Sequence, residues 1–127
     1  MKVLLDTNII SAWLKGASEI ADKIDRSASV NIPVIVIGEL YYGAQYSANV
    51  KKNTDSIDKV AASYNILQVD EYTAVQYGII KAALRRKGKP IPENDIWIAA
   101  MAQQHKLTLI TRDGHFSEIE TLKKKAW

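Results

Sequence analysis

Short runs of branched aliphatic residues, too brief for helices, alternate along this chain with stretches of helical spacing, and that alternation restricts the fold more than anything else in it. Val3-Leu4-Leu5, Val30 to Val34, Ile66 to Val69 and Leu107 to Ile110 read as strands bounded by polar or turn residues. Between them, Ile9, Ile10, Trp13 and Leu14 share one helical face behind a cap at Thr7 or Asn8. Ile20 and Ile24 continue a second amphipathic helix after Gly16, broken at Ser27-Ala28-Ser29. A further helix is predicted from close to Ile37 to about Ser47, and Ile57, Val60, Ala61 and Tyr64 mark another. Glu71 to Lys87 reads as a long helix closed by Gly88. From about Asn94 to Lys106 the pattern is apolar on most sides, which predicts a buried helix. The last residues leave room for an edge strand. Strands that alternate with helices pair in parallel through helical crossovers, giving an α/β fold in which a central parallel sheet is covered on both faces, a three-layer α/β/α arrangement. No repeat, low-complexity tract or linker divides the sequence, so residues 1–127 are expected to form a single domain.

Four acids sit where apolar runs meet helices or turns. Asp6 follows the first strand, Glu39 follows the run Val34 to Ile37, Asp95 lies in the first turn of the buried helix, and Asp113 stands just past Ile110. In a parallel sheet such junctions converge at the carboxyl ends of the strands. Pooled carboxylates repel one another unless a divalent cation, which takes hard oxygen ligands, compensates them. The metal chemistry that most needs such a site is phosphodiester cleavage. Each acid also has a plain explanation. Asp6 can cap a helix, Asp95 can complement a helix dipole, and Asp113-Gly114 is a common turn pair. Glu39 has the weakest one, because an unpaired acid between apolar segments is costly.

Composition narrows the classes. With 47% hydrophobic and 24% charged residues the chain has the make-up of a globular protein, and the absence of cysteine excludes disulfides and thiolate metal sites. No apolar stretch is long enough to cross a bilayer, and the opening strand reaches a charge at Asp6 too soon for a secretory signal, so a cytoplasmic protein without a membrane partner is expected. The net charge of +3 is modest, but Lys81, Arg85, Arg86, Lys87 and Lys89 crowd one helix end, and Lys123, Lys124 and Lys125 form a second run. The first cluster reads either as a solvated face complementing a helix C-terminus or as a surface that contacts phosphates, with Arg85, Arg86 and Lys87 as candidate RNA contacts.

Asp6-Thr7-Asn8 after a first strand, PVIVIGELYYG from Pro33 to Gly43, Asn94-Asp95-Ile96-Trp97-Ile98-Ala99-Ala100, and Thr111-Arg112-Asp113-Gly114-His115-Phe116 occur in that order. This ordered set resembles the PIN-domain ribonucleases, and within them the VapC-type toxins of bacterial and archaeal toxin–antitoxin pairs, over nearly the whole chain. The resemblance implies a parallel sheet flanked by helices and an endoribonuclease site dependent on Mg2+ or Mn2+. It also implies that Asp6, Glu39 and Asp95 are the principal acids and that Asp113 occupies a fourth acidic position of variable necessity. Asn8 and Thr111 match supporting polar positions, and Asp6 and Asp95 are the expected metal ligands. Glu39 is a reasonable acceptor for a proton from the attacking water. A small cognate antitoxin, a homodimer and an RNA substrate are the implied partners. Hydrolysis by water predicts fragments with a 5′-phosphate and a 3′-hydroxyl.

Rival readings fail on particular positions. A receiver domain needs an acidic pair just after its first strand, where Asp6 stands alone; a haloacid-dehalogenase-like phosphatase needs an aspartate where this chain has Asn8. No Gly-rich loop ends in Lys-Ser or Lys-Thr, which excludes a P-loop enzyme. A mechanism built on His105 and His115 as acid and base is disfavoured, since His105 reads as a helix-end residue and His115, beside Phe116, as loop packing. Tyr41, Tyr42 and Tyr46 are candidates for a dimer or antitoxin surface. The alternative function is a non-catalytic RNA-binding module of the same fold, against which the intact acids argue.

Overall fold

A computed structural model describes residues 1–127. Its elements run β1 (Lys2–Leu5), α1 (Thr7–Leu14), α2 (Ser18–Arg26), β2 (Ser29–Pro33), α3 (Val34–Gln45), α4 (Val50–Ser63), β3 (Asn65–Leu67), α5 (Glu71–Arg86), α6 (Glu93–Gln104), β4 (Thr108–Ile110), a 3-10 turn at Gly114–Glu118, and β5 (Lys124–Lys125). The five strands form one sheet in the order β3-β2-β1-β4-β5, with every pairing parallel. The α/β class and the helix-flanked parallel sheet are as the alternation of patterns predicts, and β5 fills the room left for an edge strand in the last residues.

The order of strands positions the site. From β1 the chain steps to β2 and β3 on one side, then crosses back to place β4 on the other flank of β1. Strand order therefore reverses beside β1, and in an open α/β sheet the crevice at that reversal, outside the carboxyl ends of the strands, is where ligands bind. The two strand ends are tied there by the Asp6 amide, which donates to the Ile110 carbonyl at 3.0 Å.

The core is continuous. Val3, Leu4 and Leu5 of β1, Ile32 of β2 and Leu109 and Ile110 of β4 are buried completely, as are Ile9 and Ile10 of α1 and Phe116 beyond β4. Helix α6 is the expected buried helix: Ile96, Ile98, Ala99, Ala100, Met101 and Ala102 are all inaccessible or nearly so. Trp97 points to the one side left over and stacks on Tyr77 of α5, with ring centroids 4.0 Å apart. One polar residue is buried within a strand, Asn31. Its amide donates to the Val3 carbonyl at 3.1 Å and its side-chain oxygen accepts from Asn65, so the group is satisfied across three neighbouring strands.

Two helix ends show how local chemistry stops an element. After α5, Gly88 adopts φ +67° and the Lys89 amide reaches back to the Leu84 carbonyl at 3.0 Å, the glycine-terminated closure its sequence predicts. After α6 the same closure forms at Lys106, whose φ of +54° is costly for a residue with a side chain.

The main departure lies at α3. Its apolar opening, Val34 to Ile37, is not the end of a strand but the first helical turn, and the helix starts three residues before the expected position. Branched residues favour strands only weakly; here Val36, Ile37 and Leu40 gain burial on one helical face, and the tertiary gain prevails. Strand β3 likewise stops at Leu67, two residues short of the apolar run.

Candidate active site

Helix α3 follows β2 directly and carries Glu39 to the crevice, where Thr7 meets it. The four acids arrive there from four elements: Asp6 from the turn after β1, Glu39 from α3, Asp95 from the first turn of α6, and Asp113 from the turn after β4. Their charges act on one another: Asp6 feels Asp113, Glu39 feels Asp6 and Asp95, and Asp95 feels Asp6 and Asp113. The structure thus brings together all four acids singled out in the sequence.

Asp6 is the most deeply held, at 4% exposure. One carboxylate oxygen accepts from the Thr7 amide at 2.8 Å, capping α1. The other accepts from the Thr111 hydroxyl at 2.7 Å and from the Asn8 amide group at 3.2 Å. Asp6 therefore is a helix cap, as its plain explanation has it, and also one wall of the acidic crevice. Asn8 additionally accepts from the Arg112 amide at 3.0 Å, and Thr111 accepts from the Asp113 amide at 3.0 Å, so both bind the β4 turn to the β1 turn. Thr7, which the sequence offered only as a possible cap, donates its hydroxyl to Glu39 Oε1 at 3.0 Å. Its place next to Asp6 was the one available signal.

Burial pushes the carboxyls of Asp6, Glu39 and Asp95 above their ordinary ranges. Hydrogen bonds oppose that rise at each, from Thr111 and Thr7 at Asp6, from Thr7 at Glu39 and from His115 at Asp95. The neighbouring carboxylates add to it. The donor set is made of hard oxygens, half-buried and mutually repulsive, which is the set that Mg2+ or Mn2+ accepts and neutralises.

His115 departs from its sequence reading. Phe116 takes the loop-packing role and is fully buried, while the His115 ring lies over the acids. Its Nδ1 is 3.1 Å from Asp95 Oδ2 and 3.1 Å from Asp113 Oδ1. The turn explains this: Asp113 Oδ1 accepts from the His115 amide at 2.9 Å, and the tight turn folds the side chain two positions on back over the carboxylate. Asp-Gly-His was legible as a turn, but the direction of the ring was not.

The basic helix end divides. Lys87 donates to the Glu118 carbonyl at 2.7 Å and lies 3.5 and 3.6 Å from the Glu118 and Glu120 carboxylates. Arg85 and Arg86 are exposed and make no ion pair. Beside the acids, a groove between α1, α3 and α4 opens at Thr7 and Glu39 and continues past Ser11, Gly43, Lys52 and Ser56. Tyr42 and Tyr46, 68% and 82% exposed, stand on α3 and its end, whereas Tyr41 is engaged with Asp58 at 2.5 Å.

Such a sheet, with acids gathered at its strand-order reversal, defines an α/β nuclease-like class, and the PIN domain family profile matches residues 3–122. The chain belongs to the PIN domain family. Among characterised proteins it is 34% identical to the ribonuclease VapC2 of Haemophilus influenzae over 130 residues, covering 100% of this chain and 98% of that one. It is 32% identical to the toxin FitB of Neisseria gonorrhoeae, with 98% of each chain covered. A crystal structure of VapBC2 from Rickettsia felis, bound to a DNA fragment from its promoter, contains a chain that superposes with a TM-score of 0.92 at 27% identity, covering 100% of this chain and 99% of that one.

Proposed function

We propose that this chain is a divalent-metal-dependent endoribonuclease acting as one domain over residues 1–127, and the toxin of a toxin–antitoxin pair. The observation that carries the reading is the convergence of Asp6, Glu39, Asp95 and Asp113 at the strand-order reversal, with Asp6 fixed by Thr111 and Asn8. The ribonuclease and toxin names of the full-length relatives support it.

Asp6 and Asp95 are the residues that would hold Mg2+, or Mn2+ in its place. When bound, such an ion polarises a phosphate oxygen and acidifies a water. The remaining work belongs to the chain. Thr111 and Asn8 occupy one oxygen of Asp6 and fix the plane of its carboxylate. Thr7 occupies Glu39 Oε1, leaving Oε2 to accept a proton from the attacking water. The raised affinity of Glu39 for a proton suits that role, since burial and two neighbouring acids act on it. Asp113 completes the acidic wall, and Arg85 and Arg86, exposed and without an ion-pair partner, are the cations proposed to meet an RNA backbone. Water as nucleophile leaves a 5′-phosphate and a 3′-hydroxyl.

The partner reading follows the same relatives: a small antitoxin that covers the crevice and the groove beside it, a second copy of the chain, and action in the cytoplasm. No helix is long and apolar enough to cross a membrane. Incubation of purified chain with cellular RNA tests the reading. Cleavage that requires Mg2+ or Mn2+ and stops with chelator is expected, along with growth arrest on expression that the neighbouring small reading frame relieves. RNA retention without cleavage at any metal concentration would instead favour the non-catalytic binding module.

A further inference from the structure

The His115 ring does more than one hydrogen bond explains. Nδ1 carries at most one proton, and the geometry suits donation to Asp95 Oδ2 at 3.1 Å. Asp113 Oδ1 lies at the same 3.1 Å but off that direction. The three atoms, one on each residue, all lie within 4.8 Å of one another. Ligand atoms held at about 2.0–2.1 Å by an octahedral cation are separated by about 2.8–3.0 Å along each edge. The two edges that meet at Nδ1, 3.1 Å each, are close to that length.

We infer that His115 Nδ1 is a nitrogen ligand to the divalent cation, sharing it with Asp95 Oδ2 and Asp113 Oδ1, and that it biases the site toward a first-row transition ion, Mn2+, over Mg2+. The inference rests on the proposed metal-dependent reading of the same crevice. The chemistry is one of ligand type: Mg2+ keeps to oxygen, while imidazole nitrogen is accepted by first-row transition ions. His115 is half exposed, so its ring is free to turn onto an ion without disturbing the core, while the buried Phe116 and the bonds of the Arg112, Asp113 and His115 amides hold the turn itself. His105, the only other histidine, follows the far end of α6 from Asp95, about 15 Å away at the rise of a helix.

The experiment is pulsed electron paramagnetic resonance on the full chain loaded with Mn2+ alone, repeated with His115→Asn. Asparagine keeps a hydrogen-bond donor near the Nδ1 position and removes the imidazole. Modulation from a directly coordinated nitrogen is expected in the parent and absent in the variant. Calorimetric titration should show Mn2+ affinity falling about tenfold or more in His115→Asn, within the range for disturbed metal-site partners, and Mg2+ affinity falling by much less. Bound Mn2+ without nitrogen modulation in the parent overturns the inference and leaves the metal reading standing. Modulation that survives in the variant, or equal losses of Mn2+ and Mg2+ affinity, overturns it too, since His115 would then only orient carboxylates. Failure of the parent to bind Mn2+ at all would overturn both.

Discussion

Thr111 and Asp6 are 105 positions apart in sequence, yet the Thr111 hydroxyl donates to Asp6 Oδ2 at 2.7 Å with both residues buried. The same hydroxyl oxygen accepts from the Asp113 amide, so one side chain joins the turn after β1 to the turn after β4. A hydrogen bond to a charged group contributes about 1.5–3 kcal/mol. Thr111→Val should lower metal-free stability at neutral pH by that order, read from urea denaturation, and Thr111→Ser should restore most of it. Equal stability of the valine variant would mean that the bond does not hold the two turns together.

The crevice should also set how stability depends on pH. Asp6, Glu39 and Asp95 have folded-state pKa values above the ordinary 3.8 of aspartate and 4.5 of glutamate, because burial disfavours their charged forms. The folded chain then binds these protons more tightly than the unfolded chain. Their contribution to stability is greatest below the ordinary values and is lost as pH climbs through the raised ones. Asp95→Asn should therefore make the metal-free protein more stable at neutral pH and flatten that fall, against about 0.3–1 kcal/mol of helix-dipole stabilisation that the carboxylate supplies. The lowered carboxyls of Asp70 and Glu93 act in the opposite direction but equally in both proteins, so they cancel in the difference. Metal at a hundredfold excess over its dissociation constant should stabilise the parent by about 2.7 kcal/mol, and the variant by less. An Asn variant that is less stable without metal and equally stabilised with it would reduce Asp95 to a helix-terminal carboxylate.

What the sequence made legible was the period and the punctuation. Helices α5 and α6 and strands β1 to β4 follow from apolar spacing, whereas β5, two exposed lysines, carries no such pattern; Gly88 marks the end of α5 because only a left-handed residue closes it. The start of α3 was not legible, because Val34-Ile35-Val36-Ile37 satisfies a strand pattern and a buried helical turn equally well; only the burial of Val36, Ile37 and Leu40 decides. The four acids were legible through their junctions. The bonds of Thr7 to Glu39 and of His115 to Asp95 were not, because each depends on side-chain direction across elements distant in sequence.

The basic helix end gives a graded expectation. Arg85 and Arg86 are unpaired, so Arg85→Ala with Arg86→Ala should weaken RNA binding and flatten its salt dependence by roughly 0.7 in log–log slope for each phosphate that is no longer neutralised. Lys87→Ala should change the slope less, because Glu118 and Glu120 already engage that ammonium. A slope unchanged by the double substitution would return the cluster to a solvated surface.

Among the acids, Glu39→Gln and Asp95→Asn are expected to cut kcat/KM by about a hundredfold or more, at or beyond the upper end of what removing a metal-site partner costs. Asp113→Asn should lose less, because asparagine keeps a side-chain oxygen that can still cap the His115 amide and face the ion. Steady-state cleavage of one oligoribonucleotide by the three folded variants would rank them. A larger loss at Asp113 than at Glu39 would reverse their proposed roles.

The central claim is that Asp6 anchors a metal-dependent hydrolytic site. It is tested most directly by mapping the ends of RNA fragments made by the parent and by Asp6→Asn, each with Mg2+, with Mn2+ and with chelator. The parent should yield 5′-phosphate and 3′-hydroxyl ends only when metal is present, and the folded variant should yield almost none. Metal-independent cleavage, 2′,3′-cyclic phosphate ends, or full activity in Asp6→Asn would contradict the account.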